Sequence, residues 1–281
     1  MKKKYLIFAI IICSLITVSC SKKEPTSMEL QSLFYHILLD DYEEVETLLK
    51  EGVNANVENE DGFSALHYAI FIEHFEIAEL LIEHGANYNY KTLKDNNLLI
   101  ETVFRGDSET AKLMIDKGGY NLNEVGPMNW PPLLEAIRFG HTDIVELLLE
   151  KDVNVNFKDS NGWTALHEAA YSGFDDIIKM LVDSHADVTA KNERGFTPLH
   201  VATLGGYPNS AKILLESGSF VDELDVHKRT PLHIAAEQGF YEVVQLLIEF
   251  GADRHIVNED DKTPQQMAEE WGHLQIVKIL N

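Results

Sequence analysis

Apolar residues recur along this chain in short stripes that have the spacing of one helix face. Two examples are Ile144, Val145, Leu147 and Leu148, and Val243, Val244, Leu246 and Leu247. Apolar side chains at positions i, i+1, i+3 and i+4 lie together on one face of an amphipathic helix. Glycines flank each stripe closely. The pattern therefore predicts a series of short helices, each burying one face.

A second pattern, made of fixed residue types, returns every 33 residues. Its clearest copies are Thr164-Ala-Leu-His167-Glu-Ala169, Thr197-Pro-Leu-His200-Val-Ala202 and Thr230-Pro-Leu-His233-Ile-Ala235. Weaker copies of this box start near 31, 64, 97, 131 and 263, with one extra residue before 131. Eight units thus cover residues 31–281. Units of this length cannot bury a hydrophobic face alone and stack into a solenoid.

The residues of each unit have clear helical roles. The box Thr can cap a first helix through its hydroxyl, and Pro suits the first helical turn. Glycine recurs nine residues into successive units, as at Gly206 and Gly239, and predicts the end of that helix. A further glycine closes a second helix, and Asp152 and His185 replace it in two units, where we expect the same left-handed backbone.

The recurring box resembles the ankyrin repeat, a 33-residue unit that opens a pair of antiparallel helices with Thr-Pro-Leu-His-x-Ala. The resemblance covers nearly all of the chain after the first 30 residues. It implies an all-α solenoid of about eight helix-turn-helix units joined by short β-hairpin-like turns. It also implies a monomer that acts as a protein-protein interaction module and is not an enzyme.

The first twenty residues have the order of parts of a signal peptide. Three lysines precede an apolar run, and small and polar residues follow it. The run Thr17-Val18-Ser19-Cys20 resembles the lipobox of bacterial lipoproteins. We therefore expect a signal peptide over 1–19, lipidation at Cys20 and a polar linker over 20–30, with the protein lipid-anchored to a bacterial membrane and facing the periplasm or the cell exterior. The alternatives are an ordinary secretion signal with a chance cysteine, and an uncleaved anchor.

The chain is strongly acidic. Its 46 acidic and 23 basic residues give a net charge of −23, and the predicted leader holds three of the lysines. An acidic surface repels nucleic acid, so we expect no nucleic-acid partner, although charge of one sign also serves solubility. The only cysteine besides Cys20 lies within the leader, so the mature chain cannot form an intramolecular disulfide.

The sequence displays no catalytic motif and predicts no cofactor or metal. His67, His167, His200 and His233 occupy one slot of the box, and in ankyrin repeats this imidazole bonds to neighbouring backbone. The segment Asp159-Ser-Asn-Gly162 has the start of a calcium loop, but it lacks the distal glutamate that such a loop requires.

Two further slots of the repeat are expected, by resemblance, to face the inner side of the stack. One is the residue before the box, and the other is seven residues into it. In units two to six these slots hold mainly large apolar side chains, and we predict that they bind a partner: Phe63, Phe71, Phe104, Trp130, Trp163, Tyr171, Phe196 and Leu204. Units seven and eight hold charges instead. Exposed aromatic anchors are typical of interfaces, but packing between units would explain the same residues.

The predicted partner is a protein with a basic or apolar segment, bound in the concave groove. Two alternatives use the same scaffold: an immunity or inhibitor protein that blocks a toxin or enzyme, and a scaffold that assists an envelope enzyme. The longer loop 118–130 is either a specificity element or a tolerated insertion.

Overall fold

The computed structural model of the chain describes residues 26–89, 97–126 and 130–281, with side chains from residue 31 onward. The predicted signal peptide 1–19 and the predicted lipidation site Cys20 lie outside the described residues, as does Asn96, which precedes the box of unit three. The first described helix begins at Thr26, within the predicted linker 20–30. Residues 26–38 contain no proline or glycine that would interrupt this helix.

Sixteen helices form eight antiparallel pairs in the described residues. Their bounds are α1 Thr26–Leu38, α2 Tyr42–Lys50, α3 Ala65–Phe71, α4 Phe75–Glu83, α5 Leu98–Arg105, α6 Ser108–Lys117, α7 Pro132–Arg138, α8 Thr142–Leu149, α9 Ala165–Ser172, α10 Asp175–Asp183, α11 Pro198–Gly205, α12 Pro208–Glu216, α13 Pro231–Gln238, α14 Tyr241–Glu249, α15 Pro264–Glu270 and α16 Leu274–Leu280. The described residues contain no β-strand beyond one isolated bridge, between Glu58 and Ser64. The predicted all-α solenoid is confirmed.

Each helix packs on its partner within the unit and on the equivalent helix of the adjacent units, and these are its principal contacts. One hydrophobic core runs along the stack, from Leu33 in α1 to Leu280 in α16. The box leucines Leu199 and Leu232 are fully buried in it. No helix in the described part of the chain is long and apolar enough to cross a membrane. Because each unit is covered only by its neighbours, the stack is held by interfaces that repeat.

The box threonine and histidine cap each other at the start of α9, α11 and α13. In α9 the Nδ1 atom of His167 accepts hydrogen bonds from the backbone N–H of Thr164 (3.2 Å) and from its hydroxyl (2.8 Å). The Thr164 hydroxyl oxygen in turn faces the backbone N–H of His167 at 3.4 Å. A backbone N–H can only donate, so Nδ1 carries no proton and the imidazole is the neutral Nε2–H form.

The same imidazoles connect successive units. The Nε2–H of His167 donates to the carbonyl of Phe196 (2.9 Å), and His200 and His233 donate to the carbonyls of Arg229 (3.3 Å) and Lys262 (3.0 Å). Each acceptor is the residue just before the next box, which is one of the two predicted inner-face slots. The hydrogen bond that joins two units therefore also fixes the backbone of the inner face.

Glycine at the end of a first helix meets two requirements, a positive φ and room for a side chain of the next unit. Gly206 ends α11 with φ of 71°, and a Cβ atom there would lie 2.9 Å from the ring of Phe240 in the next unit. Units one and two accept the positive φ without glycine, at Asp40 and Glu73. Among the predicted replacements, His185 has a φ of 66°.

The expectation for Asp152 is wrong, because its φ is not positive. The chain turns there through two tight backbone hydrogen bonds, from Lys151 N–H to the carbonyl of Leu148 (3.0 Å) and from Val153 N–H to the carbonyl of Lys151 (2.9 Å). These bonds reverse the chain without a left-handed residue at 152.

Burial makes the box histidines sensitive to acid. It lowers the pKa of both His167 and His200 from 6.5 to about 4. An unfolded chain would bind these protons at higher pH, so the folded state loses stability as the pH falls from 6.5 toward 4 and loses no more below that. We expect each histidine to cost about 2 kcal/mol between roughly pH 7.5 and pH 5, as measured by urea unfolding.

The control for this prediction is His200→Gln. Unit eight has glutamine in the same slot, where Oε1 of Gln266 accepts from the backbone N–H of Thr263 (2.9 Å), so the cap can survive the change. The variant should lose about half of the acid sensitivity that the two histidines cause. Buried carboxyls with raised pKa values act in the opposite direction, and both proteins share them. An unchanged pH profile in His200→Gln would contradict the assignment.

Candidate protein-binding surface

The two predicted inner-face slots contact each other within a unit, eight residues apart. Trp163 and Tyr171 meet edge to face with ring centres 5.9 Å apart, and Phe63 and Phe71 lie 5.5 Å apart. In unit four the guanidinium of Arg138 lies 4.2 Å above the ring of Trp130. Units two, four and five thus each present one two-residue patch on the inner face. We call these patches the inner-face stripe.

The stripe changes character along the stack. In unit seven Arg229 pairs with Glu237 (3.4 Å), and in unit eight Lys262 pairs with Glu270 (2.7 Å). The hydrogen bonds that the Lys262 ammonium donates to Glu270 raise the pKa of Lys262. In these two units an ion pair therefore joins the same two slots that hold aromatic rings in other units. The pairing is evident only when both slots of a unit are considered together.

The predicted binding residues differ in exposure. Phe71, Phe104, Tyr171 and Leu204 are exposed, by 39–55%, and Phe63, Trp130 and Trp163 are partly buried. The expectation that Phe196 is an exposed anchor is wrong, because only 7% of it is accessible. Its ring stacks on the imidazole of His200, 5.7 Å away with planes 5° apart, and Arg229 covers it at 5.8 Å. Phe196 therefore forms part of the floor, not a projecting contact.

Local turns hold the partly buried rings in place. One carboxylate oxygen of Asp159 accepts from the backbone N–H groups of Asn161 (2.8 Å) and Trp163 (2.9 Å), and Asn192 does the same before Phe196. Such Asx turns fix the backbone just before the box. The turn at Asp159 thus positions Trp163 beside Tyr171.

A groove of about 520 Å³ opens at units four to six. Trp130, Trp163, Tyr171 and Leu204 line it, with Phe196 at its base. Charged residues at its walls include Arg138, Glu168, Glu193 and Arg194. Phe63, Phe71 and Phe104 belong to units two and three and do not line this groove. The structure thus brings five of the eight predicted binding residues together in one groove, and the other three lie in units two and three.

A row of glutamates beside the stripe was missed by the sequence analysis. The fifth residue of the box is Glu101, Glu135 and Glu168 in units three to five, and apolar in units six to eight. Glu101 pairs with Arg105 (2.8 Å), and Glu168 lies 3.9 Å from Arg138. Burial raises the pKa of both Glu135 and Glu168. The signal that could have found this row is the change of residue type at a slot expected to face inward.

Glu135 differs from its two neighbours. It is only 8% exposed, and its carboxylate makes no hydrogen bond or ion pair with any residue in the described ranges. Carboxylates are seldom buried without a partner, because desolvation penalises the charge. Glu135 is therefore a largely buried carboxylate without a hydrogen bond or ion pair in the described ranges, and the more distant charge of Arg138 partly offsets the effect of burial on its pKa.

The longer loop before unit four is anchored to the preceding unit. The hydroxyl of Tyr120 donates to the carbonyl of Tyr88, and the two rings lie 6.0 Å apart. Burial raises the pKa of Tyr120. Pro127, Met128 and Asn129 lie outside the described residues. The anchored part of this loop leads directly to Trp130.

Family models account for this arrangement. The model for ankyrin repeats, in three copies, matches residues 9–92, 98–192 and 220–281, and the model for the single ankyrin repeat matches 194–226. The chain belongs to the ankyrin-repeat family. Ankyrin repeats are protein-protein interaction modules and are generally not enzymes. A comparison with curated proteins finds no match. In the described part of this ankyrin-repeat chain, no three His, Cys, Asp or Glu side chains are grouped to hold a metal ion.

The unpaired charge of Glu135 has a measurable cost. A carboxyl group whose pKa is raised on folding destabilises the fold at neutral pH, and the cost disappears as the pH falls and the group is protonated. We expect Glu135→Gln to raise the free energy of unfolding by on the order of 1 kcal/mol at neutral pH. The gain should vanish near pH 4, where both proteins carry a neutral group.

Glu146→Gln is the matched control, since Glu146 is exposed on α8 of the same unit. It should leave the free energy of unfolding unchanged within about 0.5 kcal/mol. Urea unfolding at both pH values supplies the comparison. Equal stability of Glu135→Gln and the wild-type protein at neutral pH would show that the carboxylate is not strained by its burial.

Proposed function

We propose that this protein is a membrane-tethered ankyrin-repeat lipoprotein that binds a partner protein through the groove at units four to six. The observation that carries the binding proposal is the cluster of Trp163, Tyr171 and Leu204 over the buried Phe196. Large aromatic side chains in a pre-formed concave surface supply binding energy at a small entropic cost. The rest of the stripe, including Phe63, Phe71 and Phe104, extends the contact toward units two and three.

Substitution of Trp163 distinguishes a role in partner binding from a role in core packing. We expect Trp163→Ala to weaken partner binding by roughly 2 kcal/mol, the range of a buried aromatic anchor, with a small loss of stability. The partner is first captured by crosslinking from the envelope of the source cell and identified by mass spectrometry. Calorimetric titration of the purified partner, beside thermal melts, then gives affinity and stability for each variant.

Trp271→Ala is the control for Trp163→Ala. Trp271 follows α15 outside the groove and is 61% exposed. Its replacement therefore removes the same kind of side chain from a position outside the proposed binding surface. Its affinity should match that of the wild-type protein. If Trp163→Ala melted several degrees lower while the folded fraction bound normally, the ring would belong to the core and the groove would not be the binding site.

The tether rests on the sequence of the leader. A basic head, an apolar run and a small residue before Cys20 follow the order of a lipoprotein signal. We propose that Cys20 carries the lipid and holds the repeats against a bacterial membrane, facing the periplasm or the cell exterior. The acidic net charge of −23 agrees with a partner that presents a basic segment.

Cys20→Ser tests the tether. The variant should move from the membrane pellet to the soluble fraction or remain unprocessed, because serine offers no thiol for the lipid. Fractionation with immunodetection, and the mass of the mature N-terminus, give the result. A processed Cys20→Ser protein that stays in the membrane pellet would rule out lipidation at this residue.

A further inference from the structure

Arginine side chains of the chain itself repeatedly cover rings of the inner face. Arg105 lies 5.0 Å from the ring of Phe71, Arg138 lies 4.2 Å from that of Trp130, and Arg229 lies 5.8 Å from that of Phe196. Guanidinium groups stack on aromatic faces and are attracted by their electron density. The inner face is thus built to seat a guanidinium over a ring.

Carboxylates lie beside the same arginine side chains. Arg105 pairs with Glu101 (2.8 Å) and Glu73 (3.3 Å), and Arg229 pairs with Asp225 (2.9 Å) and Glu237 (3.4 Å). Each of these arginines therefore has a ring on one side and two carboxylates at its nitrogens. The recurrence along the stack defines a seat: one aromatic face with carboxylates beside it.

In unit five, this combination of aromatic face and carboxylate has no arginine or lysine of the described chain over it. The rings of Trp163 and Tyr171 form the middle of the groove, and in the described part of the chain no arginine or lysine lies over either ring. Glu168 lines the groove beside them. Arg138, which also lines the groove, lies over Trp130 in the preceding unit and is 3.9 Å from Glu168.

The charges around this seat do not balance. Three carboxylates line the groove, those of Asp159, Glu168 and Glu193, against two guanidinium groups, those of Arg138 and Arg194. Arg138 lies 3.9 Å from Glu168 and is stacked on Trp130. Glu135 holds the equivalent slot of unit four but is not part of the groove lining. The lining therefore carries an excess of one negative charge, which one cation from outside would balance.

We propose that the groove recognises an arginine side chain of the partner protein, placed against Trp163 and Tyr171 and paired with Glu168. This inference deepens the proposed function and rests on it. The guanidinium would lie over an aromatic face with a carboxylate beside it, as Arg105 and Arg229 of the chain itself do. Arginine is favoured over lysine because a planar guanidinium stacks on a ring while its edge donates to carboxylates.

The test uses two short peptides as probes, in place of the unidentified partner. They are the capped pentapeptide Gly-Ser-Arg-Ser-Gly and its counterpart with citrulline, which has the shape of arginine and no charge. The full chain, in mild detergent, is labelled with 5-fluorotryptophan, so that its three tryptophans give three fluorine signals. Single Trp→Phe variants assign the signals, and Trp271 serves as an internal reference outside the groove.

We expect the arginine peptide to shift the Trp163 signal and leave the Trp271 signal in place. At low salt it should bind roughly tenfold more tightly than the citrulline peptide, the size of one charge-assisted hydrogen bond. Glu168→Gln should bring the arginine peptide close to the citrulline affinity. Glu135→Gln, outside the groove lining, and the exposed control Glu146→Gln should retain the full preference, and melts should show that all three variants are folded.

Three results would overturn the inference. One is equal affinity for the two peptides, and another is an arginine preference that survives Glu168→Gln. The third is an unmoved Trp163 signal at about 10 mM arginine peptide, which would nearly saturate even a millimolar site. If any of these occurred while Trp163→Ala still abolished binding of the captured partner, the proposed function would stand. A partner indifferent to Trp163→Ala would overturn the proposed function itself, whatever the peptides do.

Discussion

A buried, neutral imidazole joins each of units five to seven to the unit that follows. Its Nδ1 atom accepts from the box threonine and its Nε2–H donates to a carbonyl of the next unit, so one side chain both starts a helix and joins two repeats. Such a group must stay unprotonated, since a proton on Nδ1 would break two hydrogen bonds at once. Units three and four have Ile100 and Leu134 in this slot and depend on apolar packing instead.

The same hydrogen bond links scaffold and surface. Its acceptors are the carbonyls of Phe196, Arg229 and Lys262, the residues whose side chains belong to the inner-face stripe. The backbone of the stripe is therefore fixed from below, while the side chains vary from unit to unit without disturbing the interface. This separation allows rings in units two to six and ion pairs in units seven and eight on one continuous scaffold.

Units four to six concentrate features that cost stability. Tyr171 and Leu204 expose apolar surface in the groove, and Glu135 of unit four buries a carboxylate that has no hydrogen bond or ion pair in the described ranges. Residues that destabilise a fold without an evident structural gain are typical of binding surfaces, where a ligand supplies the missing contacts. The aromatic seat and the unbalanced carboxylates point to the same kind of ligand group, a planar cation presented by a partner.

The sequence by itself determined the architecture, because a box that returns every 33 residues leaves a stacked helix-pair solenoid as its physical consequence. Helix starts, glycine ends and Asx turns also followed from local chemistry, since each depends on residues that are close in the chain.

The tertiary structure alone decided which inner-face residues are accessible. Phe196 and Trp163 hold the same slot, and each contacts the box histidine of its own unit, but Arg229 of the next unit also covers Phe196, and that cover comes from packing between units. The structure also decided that Glu135 is unpaired, because ion pairing depends on where Arg138 points, and Arg138 lies over Trp130. Repeat periodicity gives the slot of a residue, and its contacts depend on neighbours a full repeat away.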